Sequence, residues 1–197
     1  MDVKRPLDGT LLVSGFGAFE GVTDNPSGTL ARILGQRPGV LGVELPVTFR
    51  GSGEALDVAL GTMHAPPLAL LALGVHRGPG FRLESRATAD LTSTRPDNAG
   101  EFGSDLGLHG PERRTSFDLD ALERALEKAG SGPVQRSDDA GGYVCQRVYW
   151  HVLGMGAELG VPALFLHIPP IDQRPVQDQQ PCVEAVVAEV LRQASGS

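Results

Sequence analysis

The run Leu68-Ala69-Leu70-Leu71-Ala72-Leu73-Gly74-Val75 constrains this chain more than any other stretch. Its eight residues fall far short of the ~20 needed to span a bilayer, and they are too uniformly apolar for a strand with one wet face. Such a run suits a strand buried on both faces, which needs helices above and below it. Ala163 to Ile168 is a second run of this kind. Short β-prone runs alternate with helical patterns around both. That alternation predicts an α/β fold with a largely parallel sheet.

Thr10 to Phe16 reads as the first strand, followed by a glycine-rich turn and a helix near Pro26 to Gly35. Asn25 suits the cap of that helix and Pro26 its first turn. A strand near Val43 to Phe49 leads to a helix over Gly53 to Met63. Phe81 to Leu91 alternates like a strand and ends in the turn sequence Arg95-Pro96-Asp97-Asn98. Ala99 to Thr115 is a glycine-rich, irregular excursion. Ser116 to Ala129 is amphipathic through Phe117, Leu119, Leu122 and Leu126, with Gly130 at its stop. Pro133 to Arg136 predicts a short strand, Tyr143 to Leu159 a helix, and Pro181 to Gln193 the closing helix.

A length of 197 residues suits one domain over the whole chain. The net charge of −7, with no long Lys or Arg run, argues against a nucleic-acid partner. Cys145, Cys182 and five scattered histidines show no CxxC or HxxxH spacing, so a zinc site has little support. Met1 to Thr10 lacks an apolar signal core and no run has membrane length. A cytoplasmic protein with no membrane partner is expected, and there the two cysteines remain free thiols.

Three stretches carry chemistry. Gly15-Phe16-Gly17-Ala18-Phe19-Glu20-Gly21 approaches the GxGxxG dinucleotide fingerprint, but Glu20 stands at the third glycine, where it would repel a pyrophosphate. A nucleotide-binding domain is therefore the last-ranked reading. Phe16 and Phe19 lie at a strand's C-terminal end, where α/β proteins place ligands; they line a pocket or pack beneath the loop.

Ser137-Asp138-Asp139-Ala140-Gly141-Gly142-Tyr143-Val144-Cys145 is a polar, glycine-containing turn feeding a helix. Cys145 falls in that helix's first turn, where free N–H groups and the dipole favour a thiolate and would bind an oxyanion. A helical cysteine is also commonly an inert core residue. In Phe165-Leu166-His167-Ile168-Pro169-Pro170, His167 ends an apolar strand. There it is a core histidine or an acid–base partner for Cys145 at the same sheet edge. Glu84 interrupts the run Phe81 to Ser85, either as a surface carboxylate or as the group that orients the imidazole.

Together these stretches resemble the pyroglutamyl peptidase I family of cysteine peptidases. Gly15 to Gly21 with Asn25-Pro26-Ser27-Gly28 is similar to its GFxPFGG…NPS. Leu83-Glu84-Ser85 followed by Pro96-Asp97-Asn98 matches its strand glutamate and PDN at the family spacing. Ser137 to Cys145 resembles its SNxAGxxVC turn, and Leu164 to Pro169 its FIHVP strand. The resemblance implies a three-layer α/β/α fold of phosphorylase/hydrolase type with a twisted, mostly parallel sheet. It implies Cys145 as nucleophile, His167 as general base and acid, and Glu84 as the group orienting His167. It further implies a lactam pocket of Phe16, Phe19, Tyr143 and Val144, no cofactor, N-terminally blocked peptides as substrates, and a homo-oligomer, dimer or tetramer, with the excursion after Asn98 contributing.

Departures from the pattern concern recognition. Val75 stands where the family has glutamine, Arg95 replaces an apolar pocket residue, and the spacing from Gly74 to Glu84 is one residue shorter. They leave room for a thiol hydrolase with a different N-terminal preference, or for a weakly active binding homologue.

Overall fold

A computed structural model describes residues 10–19, 21 and 23–196; the expectations for Met1 to Gly9 and for Glu20 lie outside the described residues. The elements in chain order are β1 (Leu11–Phe16), α1 (Pro26–Leu34), β2 (Val40–Leu45), α2 (Phe49–Gly61) and β3 (Ala69–Val75). Then come β4 (Arg82–Glu84), β5 (Arg86–Ala87), β6 (Arg113–Arg114), α3 (Leu119–Lys128), β7 (Gln135–Ser137), α4 (Val144–Leu159), β8 (Ala163–Ile168) and α5 (Val176–Ser195).

The six-stranded sheet has the order β2-β1-β3-β8-β4-β7. Every pairing is parallel except β4 with β8, which is antiparallel. The two apolar runs lie side by side at its centre as β3 and β8. Alternate residues of these strands face opposite layers, as the pleat requires. Leu71, Leu73, Leu164 and Leu166 pack with α1, α3 and α5 residues such as Leu30, Leu122 and Val186. Leu70, Ala72 and Phe165 pack with α2 and α4 residues such as Leu56, Val148 and Tyr149. The result is the expected three-layer arrangement.

Several boundaries differ from expectation. β2 ends at Leu45 rather than Phe49, because Phe49 opens α2 four residues before the expected Gly53. Thr48, at the N-cap, makes no side-chain cap bond; instead the Phe49 N–H donates to Asp97 Oδ2 at 2.7 Å. A staple from so distant a residue leaves no local signal. The expected strand Phe81 to Leu91 splits at Ser85: β4 joins the main sheet, while β5 pairs with β6 from within the excursion. α3 starts at Leu119, where Asp118 accepts from the Asp120 and Ala121 N–H groups. β7 begins two residues later than expected, at Gln135. α5 begins at Val176 with Pro181 inside it, although proline usually marks a helix's opening turn.

Candidate active site

The sheet register builds the site. Gly74 of β3 is the partner of His167 of β8, and His167 is the partner of Arg82 of β4. These residues share one face with Phe165 and Glu84, the face that α4 covers. α4 starts directly above. The turn before it needs Gly141 at φ 96° and Gly142 at φ 58°, left-handed conformations in which a side chain is strained. A Cβ on Gly142 would also meet Thr92 Oγ1 at 2.2 Å.

Cys145 is the second residue of α4. Its sulfur hangs over Gly74, where a Cβ would stand 3.1 Å from Sγ. Tyr143, the N-cap, offers no side-chain acceptor to the opening N–H groups of the helix. Among backbone donors, the thiol's own N–H acts on it. Its ionisation runs against the expectation of a favoured thiolate. Burial, reinforced by the Glu84 carboxylate, pushes the Cys145 thiol up to about 12, against smaller opposing pulls from Arg82 and its own N–H. Helix-terminal stabilisation is outweighed by loss of water.

His167 is buried, and its ring lies 4.8 Å from the Phe165 ring, centre to centre. Nδ1 sits 2.6 Å from Glu84 Oε1, which assigns the proton to Nδ1 and leaves Nε2 as the basic nitrogen. Burial lowers the His167 pKa, and the Glu84 bond only partly offsets it. Burial thus favours the neutral form of both Cys145 and His167. Glu84 is fully buried beneath the rim rather than on the strand's surface, and its backbone carbonyl accepts from Tyr149 Oη at 2.8 Å.

A cavity of about 630 Å³ opens above this group. Phe16, Phe19, Tyr143 and Val144 line it together with Cys145 and His167. Tyr143 is held by an edge-on contact with Phe49, ring centres 5.3 Å apart, and by donating from Oη to the Pro96 carbonyl at 2.9 Å. Val75 and Arg95 also line it, and the Arg95 guanidinium stands 5.8 Å from the centre of the Tyr143 ring. Glu84 lies behind His167, outside the lining.

Sequence reasoning missed Arg82 and His76, and gave Asp97 no role beyond its turn motif. Arg82 contacts both Glu84 and His167, and lies two residues before Glu84, hence on the same strand face; period two was the available signal. His76 holds the β3–β4 loop: Nε2 lies 2.6 Å from the Gly80 carbonyl and Nδ1 accepts from the Gly78 N–H.

Gly15, within β1, serves packing. A Cβ on Gly15 would lie 2.0 Å from the Ser27 carbonyl oxygen, so this glycine lets β1 touch the start of α1. Among the described residues no cluster of His, Cys, Asp or Glu could hold a metal ion, and no helix is long and apolar enough to cross a membrane.

Known proteins resemble this chain along most of its length. A pyrrolidone-carboxylate peptidase of Thermococcus onnurineus is 32% identical over 189 residues, covering 90% of this chain and 92% of that relative. One from Deinococcus radiodurans is 34% identical over 172 residues, covering 81% and 78%. The solved pyrrolidone carboxyl peptidase of Thermococcus litoralis superposes with a TM-score of 0.85 at 22% identity, covering 95% of this chain and 96% of that one. At that identity the likeness establishes the fold. The profile of the family described as pyroglutamyl peptidase matches residues 9–194, and the chain belongs to that family of cysteine peptidases.

Proposed function

We propose that this chain acts as a single peptidase domain that hydrolyses the N-terminal pyroglutamyl residue of peptides, with Cys145 as nucleophile, His167 as general base and acid, and Glu84 orienting His167. The observation that supports it most is the placement of the Cys145 sulfur over Gly74, the register partner of His167. The apolar walls suit a lactam, which carries no charged amine, whereas an ordinary N-terminus would lose its hydration. The cavity is roomy enough for the ring and the residue after it.

The neutral resting pair defines the order of events. As Cys145 Sγ attacks the pyroglutamyl carbonyl carbon, its proton passes to His167 Nε2, and the carbonyl oxygen takes the negative charge. N–H groups at residues 142–145 hold that oxyanion. The carbonyl reforms as the C–N bond breaks, and the imidazolium gives its proton to the departing amine. Water then attacks the thioester with His167 accepting its proton, which is handed to the sulfur as pyroglutamate leaves. Glu84, accepting from Nδ1–H, stabilises the transient imidazolium.

The −7 charge supports a peptide rather than a nucleic-acid partner, and free Cys145 and Cys182 suit a reducing cytoplasm. A dimer or tetramer formed through the excursion after Asn98 belongs to the same proposal, and sedimentation tests it. One observation favours a variant reading: Arg95 stands beside Tyr143 at the cavity wall, where it would select an acidic or longer N-terminal group. Release of a fluorescent amine from a pyroglutamyl amide, compared with a panel of other N-terminal amides, decides between them. Turnover of the pyroglutamyl amide that vanishes in Cys145→Ala is the expected result. Turnover that survives in that variant removes Cys145 from the mechanism.

A further inference from the structure

Arg82 stands directly across from His167 in the sheet and shares a strand face with Glu84. Its Nε donates to Glu84 Oε1 at 2.7 Å, the same oxygen that lies 2.6 Å from His167 Nδ1. Glu84 Oε2 has no hydrogen-bond partner among the described residues, so both donors converge on one oxygen. Arg82 Nη2 lies 3.2 Å from His167 Nδ1 and reaches, at a longer 3.4 Å, the carbonyl of Asp139. Asp139 begins the turn through Gly141 and Gly142 into Cys145; its Oδ1 accepts from the Gly141 N–H at 2.8 Å.

We propose that Arg82 is a positioning residue of this reaction centre: its guanidinium fork fixes the Glu84 carboxylate under His167 and ties that pair to the turn carrying Cys145. The inference rests on the roles proposed above for those three residues. A carboxylate sealed from water needs a counter-charge. The His167 ring is neutral at rest, so the cation is Arg82. The planar guanidinium meets Glu84 through Nε and the Asp139 carbonyl through Nη2, two positions on one rigid fork; an ammonium gathers its three donors on a single nitrogen and cannot span both.

The same cation also biases proton transfer. Glu84 and Arg82 of β4 and His76 of the β3–β4 loop act on His167, and Cys145 of α4 shares its cavity. Arg82 and His76 oppose a charged His167 while Glu84 favours it. Toward Cys145, Arg82 favours the thiolate and Glu84 opposes it. Removing Arg82 therefore makes His167 easier to protonate and Cys145 harder to ionise.

Two measurements test this in wild type, Arg82→Met and Arg82→Lys. The first is the rate of iodoacetamide alkylation at Cys145 at pH 9, assigned by peptide mass spectrometry so that Cys182 is not counted. It uses no peptide substrate, so it stands even if the pyroglutamyl reading fails. The second is the pH profile of kcat/KM on a pyroglutamyl amide. Arg82→Met should slow alkylation about tenfold or more and move the acid limb to higher pH, since a nearby cation shifts a titration by about one unit or more. Arg82→Lys should keep both near wild type while kcat falls about 10- to 100-fold, the cost of disturbing a hydrogen-bonded support. Unchanged alkylation and an unmoved acid limb in Arg82→Met overturn the proposal. If that variant does not fold by circular dichroism, wild-type kcat in Arg82→Lys overturns it instead.

Discussion

Gly74→Ala tests whether the centre depends on an absent side chain. A Cβ at residue 74 would lie 2.6 Å from Phe165 Cζ, 2.9 Å from Phe165 Cε1 and 3.1 Å from Cys145 Sγ. Carbon atoms settle at about 3.5–4.0 Å, so the Phe165 ring must retreat by roughly 1 Å. That ring is fully buried and lies against the rings of Tyr149 and His167, so it has no free direction to move. Overpacking of this kind costs about 1–3 kcal/mol, and in a chain of this size each kcal/mol lowers Tm by about 2–4 °C. A fall of about 2–12 °C in a thermal melt follows. The sulfur is displaced too, and a 1 Å misplacement costs roughly 100-fold in rate. The double variant Gly74→Ala, Phe165→Leu separates the effects: the melt recovers in part, while hydrolysis of the pyroglutamyl amide stays low. Wild-type activity and melting in Gly74→Ala would refute the placement of sulfur over strand.

Glu84→Gln keeps the shape of the side chain but removes the charge that stabilises an imidazolium, so kcat should fall roughly 10²- to 10⁴-fold; a loss below tenfold by steady-state kinetics counts against its orienting role. Asp97→Ala removes the acceptor for the N–H groups of Phe49, Ala99 and Glu101, and should cost about 2–4 kcal/mol in urea unfolding, where an unchanged midpoint contradicts the staple. The rings of half-buried His76 and buried His167 bind protons less readily in the native state than the ordinary 6.5, chiefly through loss of water. The unfolded chain then holds more protons below that pH, so stability is complete above about 6.5 and declines as pH falls toward the native values; urea midpoints between pH 8 and 5 check the sign. Toward the alkaline side, the unfolded chain loses the Cys145 proton near the ordinary 9.0 while the native state holds it to about 12, so stability falls as pH rises past 9.0.

The central strands were legible because β3 and β8 have no polar face to accommodate, and an apolar run has one meaning there. Cys145 and His167 were legible through their neighbours, a glycine turn and a strand end, and Phe16, Phe19, Tyr143 and Val144 do meet them at one cavity. The thiol's ionisation was not. A helix N-terminus is visible in sequence, whereas the burial that outweighs it depends on what packs around the sulfur. The α2 start was hidden because its acceptor, Asp97, comes from a turn 48 residues away. Phe81 to Leu91 keeps a strand's alternation across Ser85, yet its halves pair with strands from different sheets. Pairing partners are set by topology, which local periodicity does not encode.

The reversed direction of β4 bears on how this chain can vary in length. A parallel neighbour of β8 would have arrived through a long crossover, able to absorb a lost residue anywhere along it. β4 instead enters through a six-residue connection, His76 to Phe81, already cinched by the two ring nitrogens of His76. A deletion passed on to β4 would turn Leu83 onto the face beneath α4 and send Arg82 and Glu84 into the apolar layer with α5. Any change in chain length between Gly74 and Glu84 must therefore be taken up within this loop if β4 is to keep its parity.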